Sequence, residues 1–288
     1  MIEQAGPLVQ FQFRSSCYRA VPAMDQPPEN TPSPAGPIDL AEEFHEASKI
    51  RGATPAAMLG PAGEMFLAHN ELAWQLGRKS LAHSGTGVSL PRPSCLPVDL
   101  VETTLARRSG IEPGRPITLA ELGAVLGLSA ASSTSHPRLR MCPSAGALYP
   151  LDLIVVVSQV IGLPAGAFVY DPLTHALLRR GDLRVEQLHE CAAIAEPHPP
   201  TPVTIAVVAT FARSRVKYGL RGYRFALLEA GHLVQAMITA ATALGLRQLP
   251  WAGFVDAEVD RILDIDGVDR SCLYLLSVSG GPDAQVTA

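Results

Sequence analysis

The spacing of apolar residues in the first half of the chain is typical of short helices separated by loops. FHEASKI at 44–50 and the apolar positions within 65–74 predict short helices. The run VDLVETTLARRS predicts a further helix that begins near Asp99. Thr118 followed by Glu121 is a capping-box pattern, which predicts that the next helix begins there.

From residue 141 onward, β-branched runs alternate with helical patterns. DLIVVVSQV, AFVYD and HALLRR predict an antiparallel meander, and the apolar run 203–211 predicts a central strand covered on both faces. The longest helical pattern, roughly Arg221 to Leu244, is apolar all round in its second half, so this chain or a second copy must enclose it. A helix at 258–263 and a strand at 272–278 follow. The predicted fold class is α+β, with an antiparallel or mixed sheet packed by helices around a long central helix.

Composition is consistent with one large globular domain that has flexible ends. The chain has 288 residues, of which 47% are hydrophobic, and this is enough to bury a substantial core. Residues 1–37 are rich in proline and lack periodicity, which predicts a flexible arm. We therefore expect a folded domain over 38–281 and a short tail over 282–288.

Charge and cysteine content narrow the class of protein. A net charge of −4 and a pI near 6.1 argue against a nucleic-acid partner. The five cysteines include no CxxC pair, which predicts reduced, structural thiols in a cytoplasmic protein. The most membrane-like segment, 225–246, contains Glu229, His232 and Gln235, so it predicts a buried helix rather than a membrane span.

Several common catalytic and binding motifs are absent from the sequence, among them a P-loop, GxGxxG, HExxH and GxSxG. Glu229 and His232 share a helix face and could ligate a metal, but no second pair completes a site, so a structural role is favoured. Ser214-x-x-Lys217 matches the SxxK element of penicillin-binding enzymes, but the companion SDN and KTG motifs are missing.

Three other stretches carry groups that suit a bound cofactor and proton transfer. Arg107-Arg108-Ser109 offers two guanidinium forks and a hydroxyl, which can bind a phosphate. PSAGALYP, at 143–150, contains a glycine that lets backbone approach a flat ring closely. Lys217-Tyr218, in the polar, basic turn that precedes the long helix, pairs two groups capable of proton transfer. Each stretch taken alone also fits an ordinary surface, turn or helix start.

In this order, the stretches resemble the SagB-type dehydrogenases, flavin enzymes of the nitroreductase fold that oxidise azolines to azoles in ribosomally made peptides. The resemblance covers roughly residues 38–280. It rests on FHEASK, SLPRP, RRS, TLAELGAVLGL, PSAGALYPLDL, the stretch containing GAFVYDP, KYGLRGYRFALLEAGHLVQ and ALGL, followed by the closing strand.

The resemblance implies a homodimer that binds FMN near the dimer interface and acts on a modified precursor peptide, and it implies a cyclodehydratase complex as a further partner. The cofactor-binding residues that it implies are Arg107, Arg108 and Ser109 at the phosphate and ribityl end, Ser144, Ala145 and Gly146 along the isoalloxazine, and Leu148 and Arg221. Lys217 and Tyr218 match the family's catalytic pair. By this resemblance, one of them would take the azoline Cα proton while a Cβ hydride passes to flavin N5.

The sequence departs from the family pattern at one position. Family members commonly carry an arginine two residues after the RRS serine, where this chain has Ile111, and Arg115 is the next arginine.

Two alternative functions also fit the sequence. The first alternative is a nitroreductase-type enzyme that acts on another small conjugated substrate. The second is a partner that scaffolds a biosynthetic complex without turnover, against which the Lys217-Tyr218 pair argues.

Overall fold

A seven-stranded sheet, in which every neighbouring pair is antiparallel, forms the centre of the fold. The computed structural model describes residues 40–49, 87–93, 98–110, 114–193 and 199–281. The strands are β1 (Gly87–Ser89), β2 (Ile117–Thr118), β3 (Leu151–Val157), β4 (Val160–Ile161), β5 (Gly166–Asp171), β6 (Ala176–Gly181), β7 (Val203–Thr210), β8 (Arg247–Trp251) and β9 (Arg270–Ser279). The sheet order is β1-β6-β5-β3-β7-β9-β8, and β2 pairs separately with β4 in parallel.

Helices cover both faces of this sheet. They are α1 (Leu40–Ala47), α2 (Leu100–Ala106), α3 (Leu119–Ser129), α4 (Val185–Glu190), α5 (Ala212–Tyr218), α6 (Leu220–Ala243) and α7 (Asp256–Ile262). Alternate residues of β3 enter two separate cores, because successive side chains of a strand point to opposite faces. Val155 packs in the core that contains α3 and α6, and Ile154 packs in the core that contains α4 and α7.

The main elements expected from the sequence are confirmed. β3, β5 and β6 form the antiparallel meander, and β7 is an interior strand with all eight residues buried. Thr118 and Glu121 form the capping box at the start of α3. The long helix ends where Gly245 predicts, because Gly245 adopts a φ of 68° and its amide donates to the Thr242 carbonyl.

The expectation for the residues before the long helix is wrong. The sequence placed Lys217 and Tyr218 in a polar turn, whereas they end a separate helix, α5, that is joined to α6 at Gly219. Gly219 has a φ of 55° and a ψ of −135°, a conformation that favours glycine. Gly222, in the first turn of α6, lies so close to α5 that an added Cβ would be 2.7 Å from the Ser214 carbonyl oxygen.

Some expectations fall outside the described residues. These are the flexible arm at 1–37, the helices within 65–74 and the tail at 282–288. The FHEASKI helix is described in part, as the end of α1. Two arginines of α6 bind this segment, because Arg221 donates to the Ser48 carbonyl and Arg224 donates to the His45 carbonyl.

Among the described residues, α6 alone is long and apolar enough to cross a membrane by length and composition. Half of its most apolar window is buried inside the protein. Met237 and Ile238, in the second half, contact the core of this chain, whereas Leu227 and Leu228, in the first half, are exposed. The enclosure expected for the second half is therefore provided by this chain itself.

Candidate functional site

The loop that contains Gly146 lies directly against the Lys217-Tyr218 pair. A Cβ added to Gly146 would lie 2.6 Å from Lys217 Nζ and 2.6 Å from Tyr218 Oη. Real Cβ atoms essentially never approach another heavy atom so closely, so only glycine fits here without displacing a neighbour. The structure thus brings together two stretches that are about 70 residues apart in the sequence.

The pair itself is held at the end of α5. Lys217 is only 7% exposed, and its Nζ lies 5.0 Å from the centre of the Tyr218 ring. The Tyr218 ring packs edge-on against Phe225, one turn into α6, with ring centres 5.1 Å apart. Both side chains are therefore held where two helices meet, which restricts their rotamers.

The glycine loop has an unusual backbone. Gly146, Ala147 and Tyr149 have φ values of 64°, 53° and 47°, and such conformations are costly for residues with a side chain. Ser144 stabilises the turn by accepting a hydrogen bond from the Tyr149 amide at 2.9 Å. Ala145 is half-buried, whereas the Leu148 side chain is buried in the interior.

We expect Gly146→Ala to impair activity much more than stability. The positive φ alone costs roughly 1–2 kcal/mol for a non-glycine residue, and the new methyl would also displace Lys217 Nζ or Tyr218 Oη. Gly162→Ala is a matched control, because Gly162 has a φ of 88° but nothing within 4 Å of its added Cβ. Melting temperature and turnover of both variants check this prediction. Equal losses of activity would show that strain, not contact with the pair, is responsible.

A buried ion pair fixes α5 to the sheet beneath this loop. Arg213, which has no exposed surface, donates to both carboxylate oxygens of Asp152, at 3.0 and 2.7 Å. The same guanidinium donates to the Tyr149 carbonyl at 3.2 Å. Thr210 adds a hydrogen bond to the Asp152 carboxylate at 3.3 Å. The helix that carries Lys217 and the loop that carries Gly146 therefore share one anchor.

Glu229, from α6, approaches the loop from the core side. It is 7% exposed, and it lines a small pocket with Arg140, Tyr149 and Asp152. Burial raises the pKa of its carboxyl to about 7, although the Ser144 hydroxyl and the charges of Arg140 and Arg213 act in the opposite direction. Because the pKa is raised, the stability that this group contributes is complete below about pH 4.5. That contribution is lost as the pH rises through about 7.

Arg107, Arg108 and Ser109 lie at the other end of α6. They follow the last turn of α2, and Ser109 forms an isolated parallel bridge with Gln248. Arg107 donates to the Ser109 hydroxyl at 3.0 Å, and Arg108 lines a groove of about 290 Å³ with Thr242 and neighbouring residues. Glu229 and Thr242 are separated by roughly 20 Å along the helix axis, at about 1.5 Å per residue. One chain therefore does not bring these arginines to the Lys217-Tyr218 pair.

Three other residues considered from the sequence are engaged elsewhere. Arg221 binds the Ser48 carbonyl, as described above, and stacks over Phe225 at 5.6 Å. Arg115 forms a two-point ion pair with Glu121 of the capping box, at 2.6 and 3.1 Å. The Ser214 hydroxyl is buried and donates to the Gly222 carbonyl at 2.9 Å, which joins α5 to α6.

Two features of this site have a weak sequence signal or none. The burial of Glu229 could have been suspected from a lone carboxylate in an apolar helix, but the residues around it could not. The Arg213–Asp152 pair had no signal, since nothing in the local pattern marks either residue as buried. No group of three or more His, Cys, Asp or Glu residues that could bind a metal occurs in the described parts of the chain.

Sequence comparisons relate the chain to known proteins. A model of the nitroreductase family matches residues 114–280. A predicted nitroreductase of Methanocaldococcus jannaschii, MJ1384, is 32% identical over 183 residues, which cover 63% of this chain and 92% of that protein. The microcin B17-processing protein McbC of Escherichia coli is 29% identical over 137 residues. That match covers 44% of this chain and 49% of McbC, about half of the relative.

A structural comparison points in the same direction. A chain of the Escherichia coli microcin synthetase McbBCD complex, solved with truncated pro-MccB17 bound, superimposes with a TM-score of 0.53 at 22% identity. The superposition covers 84% of this chain and 92% of that one. At this level of identity, the likeness shows a shared fold alone.

Proposed function

Because the chain belongs to the nitroreductase family, we propose that it is an FMN-dependent dehydrogenase that oxidises thiazoline or oxazoline rings of a ribosomally made peptide to azoles. The family and the McbC match support an oxidoreductase. The observation that carries the finer proposal is the contact of Gly146 with both Lys217 and Tyr218. Two groups capable of proton transfer therefore lie beside the backbone at Gly146, which a flat ring can approach because glycine has no side chain.

The reaction removes two hydrogens from each azoline ring. The Cα–H is acidified by the adjoining C=N and carbonyl groups, so it leaves as a proton, and the neutral amine of Lys217 or the phenolate of Tyr218 accepts it. The Cβ–H leaves with its electron pair, and a new ring double bond forms between Cα and Cβ. FMN, when bound, supplies the acceptor for that hydride. Lys217 and Tyr218 also orient the ring, because both are restricted by packing at the α5–α6 junction.

The residues present fit FMN at both of its ends. Arg107, Arg108 and Ser109 supply cationic forks and a hydroxyl beside an open groove, which suits a phosphate. At Gly146 the loop has no side chain, so the flavin ring can approach the backbone closely. Since these two parts lie apart along α6, the proposal requires two copies of the chain, each contributing one part to a shared site.

Exposed apolar side chains support this dimer. Leu100, Val101 and Leu105 of α2 are 72%, 64% and 68% exposed, and Leu227 and Leu228 of α6 are also exposed. Apolar positions gathered on two helices in this way are typical of surfaces that a partner covers. The first half of α6 is thus a suitable interface between two copies of the chain.

The substrate class is inferred from the relatives. McbC is named as a processing protein for microcin B17, and the McbBCD structure contains a truncated pro-MccB17. By analogy, a modified precursor peptide is the proposed substrate here, and a cyclodehydratase-containing complex is the proposed partner. No nucleic-acid or membrane partner forms part of the proposal.

An assay with an azoline-containing peptide tests the proposed function. The purified protein should show the visible absorbance of bound FMN and remove two hydrogens per ring, which mass spectrometry detects. A matched peptide without azolines should keep its mass. FMN binding with reduction of nitroaromatic compounds and no azoline oxidation would favour an ordinary nitroreductase. Failure to bind added FMN would overturn both enzyme assignments.

A further inference from the structure

The second residue of β8, Gln248, carries a buried acceptor that has no hydrogen-bond donor in the described part of the chain. Gln248 is 1% exposed, and its Oε1 has no partner, whereas its Nε2 donates to the Thr242 hydroxyl at 3.3 Å. Thr242 fixes the assignment of the two amide atoms, because its hydroxyl donates its single proton to the Ile238 carbonyl at 2.8 Å. Thr242 therefore only accepts from Gln248, and it cannot supply the donor that Oε1 needs.

A buried amide oxygen without a donor is rare in folded proteins, because the hydrogen bond that it loses to water is not replaced. A donor on a bound molecule would replace that bond. Gln248 lines the groove of about 290 Å³ that also contains Arg108. The terminal amide torsion of glutamine is soft, so a small rotation turns Oε1 towards a molecule in this groove.

The groove beside Gln248 has the charge of an anion site. Arg108 and Arg247 both line it. Gln248 is joined to the RRS segment through the backbone, because its carbonyl accepts from the Gly110 amide at 3.1 Å and it forms a parallel bridge with Ser109. The buried acceptor and the two guanidinium groups thus belong to one groove.

The acceptor on Gln248 does not suit the phosphate itself. A phosphate dianion presents acceptor oxygens, which guanidinium groups bind, but it has no proton to donate to an amide oxygen. An alcohol hydroxyl has such a proton. The groove therefore combines the partners of two different groups, a phosphate and a neighbouring hydroxyl.

We propose that Gln248 is a further cofactor-binding residue, whose Oε1 accepts a hydrogen bond from a hydroxyl of a polyol phosphate chain while Arg108 and Arg247 bind the phosphate. The ribityl phosphate chain of FMN has this chemistry. The identification of the molecule as FMN rests on the proposed function, whereas its chemical class follows from the groups that line the groove.

Titration of the full-length protein, freed of bound flavin, tests the role of Gln248. FMN binding is followed by the quenching of flavin fluorescence, and sulfate is the competitor, since it has negative charge but no proton to donate. Gln248→Leu should raise the FMN dissociation constant roughly threefold to tenfold, the effect of losing one hydrogen bond. The inhibition constant of sulfate should stay unchanged.

Gln235→Leu is the matched control. Gln235 also donates from Nε2 to a threonine hydroxyl, that of Thr239 at 3.4 Å, but it is exposed on α6. This variant should bind FMN as the wild type does. Gln248→Glu is a second test variant of the same size, and it places a negative charge beside the phosphate. It should weaken both FMN and sulfate by roughly tenfold or more.

The other outcomes contradict the proposal. An unchanged FMN dissociation constant in Gln248→Leu or Gln248→Glu would show that water satisfies Oε1 or that the chain of FMN lies elsewhere. Equal weakening of FMN and sulfate by Gln248→Leu would show that Gln248 supports the arginines and binds no hydroxyl. A wild type that does not bind FMN would overturn this proposal together with the proposed function. If the titrations behave as expected but azolines are not oxidised, the proposed function fails and the binding role of Gln248 stands.

Discussion

Lys217→Ala will reduce azoline oxidation by roughly 100-fold to 10,000-fold, the range expected for loss of a proton-transfer group. Tyr218→Phe will cause a loss in the same range if its phenol shares the proton. The expectation follows from geometry, because both groups end within contact distance of the same glycine. Single-turnover rates with a saturating azoline peptide measure the chemical step.

Controls distinguish chemistry from folding in this experiment. Lys49→Ala removes an exposed lysine that pairs with Glu46 on α1, and it should leave turnover unchanged. The Lys217 and Tyr218 variants should still bind FMN, since neither is among the residues proposed to bind its phosphate. Full turnover in both variants, with FMN bound, would show that the proton acceptor lies elsewhere.

Arg213→Met will destabilise the protein by roughly 3–5 kcal/mol, as expected when one partner of a buried ion pair is removed. Asp152 would then keep its Thr210 hydrogen bond but lose both bonds from the guanidinium. The Tyr149 carbonyl would lose a donor as well. Denaturant unfolding followed by circular dichroism measures the change in the free energy of unfolding.

An exposed ion pair provides the comparison for this prediction. Arg179→Met removes the partner of Asp182 at the surface, and such pairs contribute about 0–1 kcal/mol. The double variant Asp152→Leu/Arg213→Met should be more stable than the sum of its single variants predicts, because no unpaired charge remains. If Arg213→Met were as mild as Arg179→Met, the buried pair would not anchor α5.

Local patterns were enough to predict most of the elements. The capping box of Thr118 and Glu121, the glycine end of α6 and the apolar run of β7 each depend on neighbours in sequence. The order of the strands was not predicted beyond the meander. Pairing of β7 with β3 and β9 joins distant segments, and no local spacing encodes it.

The error at α5 has a physical explanation. ARSRVKY contains three cationic residues in seven positions, which is typical of an exposed turn or helix start. Its burial depends on Asp152, about 60 residues earlier, whose carboxylate compensates the Arg213 charge. The local sequence around a buried arginine that is paired with a distant carboxylate looks the same as that around an arginine exposed to solvent.

The sequence by itself determined the α+β class, the main helices and strands, the resemblance that named an FMN site, and the residue types that such a site needs. Only the tertiary structure decided which of those residues meet: Gly146 with Lys217 and Tyr218, but not Arg107 to Ser109 with the pair. The reason is that periodicity and caps arise from interactions within a few residues. Packing of α5, α6 and the loop after Cys142 depends on burial and charge compensation between segments far apart in the chain.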